Sequence, residues 1–330
     1  MQHGILGAGG VGGLVGALLA RAGETVTLIV RPEVVEHYPH ELLLSSRALG
    51  TFFVAVSVTS ELSHPVDVLW ITVKATDLHT ALESIRATDQ IGAVVPLLNG
   101  IDHVTVLRER FGQDKVVPAT IAVETERIAP GQIVWFSLFA RLNLSSRGRK
   151  RLTTTIEELA HYGFECHFID DDNTLLWSKL VFLAPFALST TAANAPIGQI
   201  ISDPRRSVEL RELVMEACAV AAASGAKVDA NAVLDLIKTV PADMRSSMQK
   251  DVEQGKLPEL DAIAGPILRG AEVFGIPVPR TKLTVQQIEH ELERLPKSNS
   301  ELNNCNSEQN TCFALASRWS PPSNVVNGKI

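Results

Sequence analysis

Apolar residues recur along this chain in short runs of strand length, separated by stretches whose apolar positions fall at helical spacing. A first run ending at Leu6 gives way to a helical stretch reaching Ala22, and a second strand-like run over residues 25–30 ends on Arg31. Runs at 52–58, 68–73, 93–98 and 115–118 continue the alternation, which predicts a mostly parallel, doubly wound sheet of the α/β class. Residues 131–139 and 164–169 read as added edge strands. Beyond Asp170 the period changes. Asp170, Asp171 and Asp172 precede Leu175, Leu176 and Trp177 as acidic caps, while Gly225 and Gly275 close apolar-faced runs at 207–224 and 260–274. A stretch at 281–295 resumes as a terminal helix. The pattern predicts a sheet domain over residues 1–169 followed by an all-α domain over 170–296. Residues 297–330, rich in Asn and Ser, carry too little apolar content to order themselves, so a flexible polar tail is expected, with Phe313, Leu315 and Trp319 as apolar handles.

Composition narrows the class. The 330 residues are 45% hydrophobic and 20% charged, enough for a large core and for two domains. A net charge of -7 and a pI near 5.7 give no reason to expect nucleic acid or an anionic membrane as partner. Cys166, Cys218, Cys305 and Cys312 form no C-x-x-C pair and have no zinc-ligand spacing, so they read as free thiols in a reducing compartment, with no metal implied. The N-terminus lacks a basic leader, and its apolar stretch is punctuated by glycines. Neither a signal peptide nor a membrane span is expected there, and a cytoplasmic location follows as the expectation.

The first thirty-one residues carry the candidate chemistry. Gly7-Ala8-Gly9-Gly10-Val11-Gly12 joins the first strand to the first helix. In a dinucleotide-binding, Rossmann-like unit the first glycine permits the tight turn, the second lets backbone approach a pyrophosphate, and the third lets helix and strand pack closely. The phosphates then meet a helix N-terminus, where free N–H groups and the helix dipole favour negative charge. The residue ending the second strand selects the cofactor: an acid there holds a ribose 2′-hydroxyl, and an arginine holds a 2′-phosphate. Arg31 stands at that point, so the cofactor is read as NADP(H).

Five further segments, in this order, resemble the ketopantoate reductase (2-dehydropantoate 2-reductase) family across most of residues 1–295. Val73-Lys74-Ala75 is similar to the family's cofactor-side lysine, and Leu98-Asn99-Gly100 to its asparagine–glycine turn beside the nicotinamide. Leu176-Trp177-Ser178-Lys179-Leu180 resembles the segment carrying the catalytic lysine. Ser246-Ser247-Met248 resembles the serine segment that binds the substrate carboxylate, and Pro258-Glu259-Leu260-Asp261 the glutamate segment. The resemblance implies NADPH-dependent reduction of a small 2-oxo acid, with Lys179 as proton donor, Glu259 orienting it or balancing its charge, Lys74 and Asn99 lining the nicotinamide, and Asn99 and Ser247 on the substrate. Hydride arriving at a ketone carbon leaves charge on the oxygen, which a positioned acid must neutralise. Each residue also has an ordinary reading: Lys179 as a snorkelling surface lysine, Glu259 as a helix-terminal acid, Ser247 as a surface serine, Lys74 as decoration of a strand end, and Asn99 as a turn residue.

The chain departs from that family's pattern where the substrate lies. Counting one and two turns beyond Lys179 gives Leu183 and Ala187, where the family usually has asparagines, and the position before Gly265 reads Ala264. Those substitutions imply a more apolar pocket and a bulkier or less hydroxylated 2-oxo acid, or another ketone, as an alternative to ketopantoate. Asn194 is a candidate replacement amide. A different class of reading, a non-catalytic NADP(H)-binding sensor, uses the glycines and Arg31 equally well but leaves Lys179 without a task. A homodimer and a monomer both fit the sequence.

Overall fold

The structure, a computed structural model, describes residues 1–86 and 88–294. The expected tail with its apolar handles, together with Cys305 and Cys312, lies outside the described residues. The chain opens with β1 (Gln2–Leu6), α1 (Gly10–Arg21), β2 (Thr25–Ile29), α2 (Pro32–Val35), β3 (Glu41–Ser46), β4 (Gly50–Ala55) and β5 (Ser57–Thr59). It continues through β6 (Val66–Ile71), α3 (Leu78–Leu82), β7 (Ile91–Pro96), α4 (His103–Phe111), β8 (Ala119–Ala122), β9 (Thr125–Ala129), β10 (Gln132–Trp135) and β11 (Arg141–Ser145). After α5 (Arg149–His161) and β12 (Glu165–Ile169) the described chain is helical: α6 (Asp172–Ala193), α7 (Ile197–Ser202), α8 (Pro204–Ala223), α9 (Ala230–Thr239), α10 (Ser247–Glu253), α11 (Leu260–Phe274) and α12 (Pro279–Arg294). Residues Met1–Glu289 form one compact unit, and of the unit that begins at His290 the described part is the end of α12.

Five strands make a parallel sheet in the order β5-β2-β1-β6-β7. Its strands read as continuous apolar runs because both faces are covered. Ile5, Leu28, Trp70 and Val95 point into the core under α1, whereas their neighbours Leu6, Ile29, Ile71 and Val94 point into a second core containing Leu78, Leu82, Val104 and Leu107. Strand carboxyl ends therefore converge on one edge, and the Gly7–Gly12 loop, Thr72-Val73-Lys74 and Leu98-Asn99-Gly100 all leave from that edge.

Three sequence expectations need correction. Residues 52–58 are not one strand: β4 pairs antiparallel with β3 in a second sheet, ordered β4-β3-β10-β9, while β5 joins the parallel sheet. The break falls at Val56, whose N–H donates to the His40 carbonyl. Residues 115–118 form only an isolated bridge, Val94 to Val116, and β8 starts after them. Pro118 offers no N–H to continue the ladder. The run at 131–139 contains β10, which lies inside its sheet between β3 and β9, whereas 164–169 does supply an edge strand, β12, in the sheet ordered β12-β11-β8. Strands β3, β9 and β11 were not anticipated.

The helices follow their caps. Asp171 accepts from the Asn173 N–H at the start of α6, Asp203 accepts from two N–H groups at the start of α8, and Gly225 and Gly275 adopt positive φ beyond α8 and α11. α6 is long and apolar enough to cross a membrane, but 67% of its most apolar stretch is buried in protein. It packs against helices α7 to α11 and against β8 and β11. Its apolarity is that of a central core helix.

Candidate active site

The glycine loop has the shape its residues require. Gly7 has φ +100°, and a Cβ there would come within 2.7 Å of the Val73 side chain. A Cβ on Gly12 would lie 2.2 Å from the Gly7 carbonyl, so only glycine lets α1 approach the β1 turn this closely. A Cβ on Gly9 would meet nothing within 4 Å, leaving space over the loop. No side chain caps the N-terminus of α1 and no acid occupies its first turn, so its leading N–H groups suit a bound anion. Thr72 donates to the carbonyls of Leu6 and Gly7, at 3.0 and 2.7 Å, and fixes the turn from the neighbouring strand. Arg31 is exposed just past β2, at the N-cap of α2. The loop and Arg31 fit the phosphates of a dinucleotide.

A second constellation lies beside the strand ends. Lys179 Nζ on α6 donates to Asn99 Oδ1 at 3.0 Å, and Asn99 Nδ2 donates to Glu259 Oε2, also at 3.0 Å. Glu259 Oε1 accepts from the Ala75 N–H at 2.8 Å. Although Glu259 stands at the N-cap of α11, its side chain makes no capping bond, so the carboxylate is spent on this chain of contacts and not on the helix end. Burial lowers the Lys179 pKa to about 8, with Glu259 acting in the opposite direction. The Asn99–Gly100 turn is pressed against α11: Gly100 has φ +80°, and a Cβ there would fall 2.3 Å from the Ala262 carbonyl. Four segments, carrying Ala75, Asn99, Lys179 and Glu259, are thus joined by contacts between residues 80 to 184 apart.

Other expected residues are placed less directly. Lys74 pairs with Asp251 on α10 at 2.8 Å. Ser247 is exposed on the first turn of α10, while the neighbouring Ser246 hydroxyl caps that helix and accepts from Thr190 Oγ1. Leu183 is half-buried one turn beyond Lys179, and Ala187 and Ala264 are buried. Asn194 ends α6 in the left-handed conformation, and its Oδ1 accepts from Gln249 Nε2 at 3.2 Å, away from Lys179.

Sequence reasoning missed His103 on the first turn of α4. It is buried, its Nε2 has no partner, and its pKa falls to about 4, first through burial and then through the nearby Lys179 ammonium; a contact with the Asn99 backbone works the other way. Its position four residues after Asn99 was the available signal. Asp251 and the Ala75 N–H were also missed, because both depend on long-range packing.

A parallel sheet with a phosphate-shaped glycine loop, facing a desolvated lysine held by an amide and a carboxylate, defines a nicotinamide-dependent oxidoreductase acting on CH–OH groups. The family model described as "Ketopantoate reductase PanE/ApbA" matches residues 3–147, and "Ketopantoate reductase PanE/ApbA C terminal" matches 173–292. The chain belongs to the ketopantoate reductase family. It is 28% identical over 276 residues to the 2-dehydropantoate 2-reductase of Archaeoglobus fulgidus, covering 82% of this chain and 91% of that protein. A PanE/ApbA family ketopantoate reductase from Ralstonia eutropha superposes with a TM-score of 0.77 at 28% identity, over 89% of this chain and all (100%) of the other. A D-mandelate dehydrogenase solved with NADH and anilino(oxo)acetate shares the fold, at TM-score 0.78 and 20% identity, over 89% of this chain and 99% of its own.

Proposed function

We propose that this chain reduces a 2-oxo acid with NADPH and draws the proton from Lys179; ketopantoate, reduced to pantoate, is the substrate carried in the relatives' names. The observation that carries this reading is the contact chain from Lys179 through Asn99 and Glu259 to the Ala75 N–H. Gly7, Ala8, Gly9, Gly10, Val11 and Gly12 would hold the pyrophosphate and Arg31 the 2′-phosphate, with Lys74 and Asn99 on the nicotinamide side. The nucleotide supplies a hydride.

The protein's part is the proton. As the ketone carbon gains the hydride, the carbonyl π pair moves onto oxygen, and Lys179 Nζ releases a proton to it and becomes a neutral amine. With a pKa near 8, the lysine is mostly protonated at pH 7 yet gives up its proton more readily than a solvated lysine. Asn99 aims the ammonium through Oδ1, and Glu259 fixes which way that amide faces by accepting from Nδ2. Ser247 offers an exposed hydroxyl to the substrate carboxylate.

The test is nicotinamide oxidation with ketopantoate and other 2-oxo acids, supplied with NADPH or NADH. Lys179→Ala is expected to lose about 10³-fold or more in kcat, and Arg31→Ala to erase a preference for NADPH. A Lys179→Ala variant with undiminished turnover would remove the proton-donor role, and equal use of both nucleotides by the intact protein would remove the NADP assignment.

A further inference from the structure

We infer that the site prefers 2-oxo acids whose side chain is pure hydrocarbon, and that Leu183 is the residue that selects them; this rests on the 2-oxo acid reading above. Leu183 follows Lys179 by four residues on α6, so it lies on the same helix face about 6 Å further along the axis. It is half-buried, whereas Val181, Ala184 and Pro185 around it are buried. A substrate carbonyl at Lys179 therefore meets Leu183 with whatever it carries on that side.

Ser247 is assigned to the substrate carboxylate, and the other polar groups of the site already have partners. Asn99 uses both ends of its amide on Lys179 and Glu259, and Glu259 uses both oxygens on Asn99 and Ala75. The Ser189 hydroxyl donates to the Pro185 carbonyl, and that of Thr190 to the Phe186 carbonyl and Ser246. Asn194 is bound to Gln249. Among the described residues, five buried atoms on α4, α6 and α10 lack partners: Arg108 Nε and Asp172 Oδ1, whose side chains pair with each other on the far side of Lys179 from Leu183, and His103 Nε2, Thr191 Oγ1 and Gln249 Oε1. His103 stands beside Lys179 and Asn99, at the reacting end. Thr191 lies three turns from Lys179, about 18 Å along the helix, and Gln249 is bound to Asn194 beyond it. A side-chain hydroxyl packed against Leu183 would give up water for a side chain with neither donor nor acceptor, which selects against it by about tenfold or more.

One pair of substrates isolates the effect: ketopantoate and 3,3-dimethyl-2-oxobutanoate, which have the same branched skeleton and differ by the terminal hydroxymethyl against methyl. Steady-state kcat/KM with NADPH is expected to favour the hydrocarbon acid by about tenfold or more. Leu183→Asn should shift the ratio toward ketopantoate by about tenfold, chiefly through the KM of ketopantoate, while Leu183→Met keeps the original preference. A wild-type preference for ketopantoate, or a ratio unmoved in folded Leu183→Asn, overturns the inference and leaves the 2-oxo acid reading intact. Turnover of neither acid, nor of any other 2-oxo acid, by protein that binds NADPH overturns both.

Discussion

Lys179 is held between two opposing effects, and their balance can be read in a pH profile. Burial favours the neutral amine and brings the pKa down to about 8; the Glu259 carboxylate favours the ammonium and keeps it from falling further. His103, the other titratable group against this lysine, has its pKa lowered to about 4 and is neutral throughout the working range. Carbonyl reduction needs the protonated lysine, so kcat/KM is expected to be level below about pH 8 and to fall tenfold per pH unit above it. Glu259→Gln keeps an oxygen for the Ala75 N–H and removes the charge. That variant should move the alkaline limb to lower pH, measured as the pH dependence of kcat/KM. A limb that stays at the wild-type position would show that Glu259 holds Asn99 in place without setting the lysine's charge.

At the scale of the elements, the β1–α1 junction separates packing from ligand binding within one motif. Gly12→Ala would drive a Cβ into the Gly7 carbonyl at 2.2 Å and the Thr72 hydroxyl at 2.4 Å, so α1 must shift off the sheet; a loss of about 2–4 kcal/mol is expected in denaturant unfolding. Gly9→Ala meets open space and has an extended backbone that alanine tolerates. Its unfolding midpoint should match wild type, while NADPH affinity, measured by fluorescence titration, drops tenfold or more. Equal affinity in Gly9→Ala would show that the nucleotide does not pass over that position. This junction was legible in sequence because its turn, its Gly7–Gly12 packing contact and its helix start lie within thirty-one residues, although Thr72 and Val73 close it from the neighbouring strand. Lys179, Asn99 and Glu259 were legible as separate short segments whose joint work only the resemblance implied; the route through Asn99 to Glu259 and the Ala75 N–H was not, since the partners are supplied by other elements of the fold. Strands β3, β9 and β11 escaped notice for a different reason. Charged and polar side chains such as Glu126, Arg127, Arg141 and Asn143 occupy much of β9 and β11, and in β3 the apolar run is only Leu42 to Leu44, so none is marked as the doubly buried strands are.

Within the compact unit, α6 shares apolar core with the parallel sheet. Leu176 of α6 is buried in the same cluster as Leu98, Val104 and Leu107, and burying one leucine is worth roughly 1.5–3 kcal/mol. Arg108 of α4 binds Asp172 at 2.7 Å, Lys74 binds Asp251 at 2.8 Å, and the Glu259 contacts tie α11 to two strand ends. Partly exposed ion pairs add little individually, so Leu176 and the Glu259 contacts carry most of the coupling. Heat unfolding is therefore expected to be one transition for sheet and helices. A Trp177→Phe/Trp319→Phe variant retains Trp70 and Trp135, both buried on strands, so its fluorescence follows the sheets while far-UV ellipticity is weighted toward the helices. The two midpoints should agree to within about 2 °C. NADPH, held through the glycine loop, should raise both together because ligand binding stabilises whatever unfolds as one unit with its site. An ellipticity midpoint that stays put while the fluorescence midpoint rises would mean that the helices melt independently, and that Leu176 and the Glu259 contacts do not join them to the sheet strongly enough to couple cofactor binding to the position of Lys179.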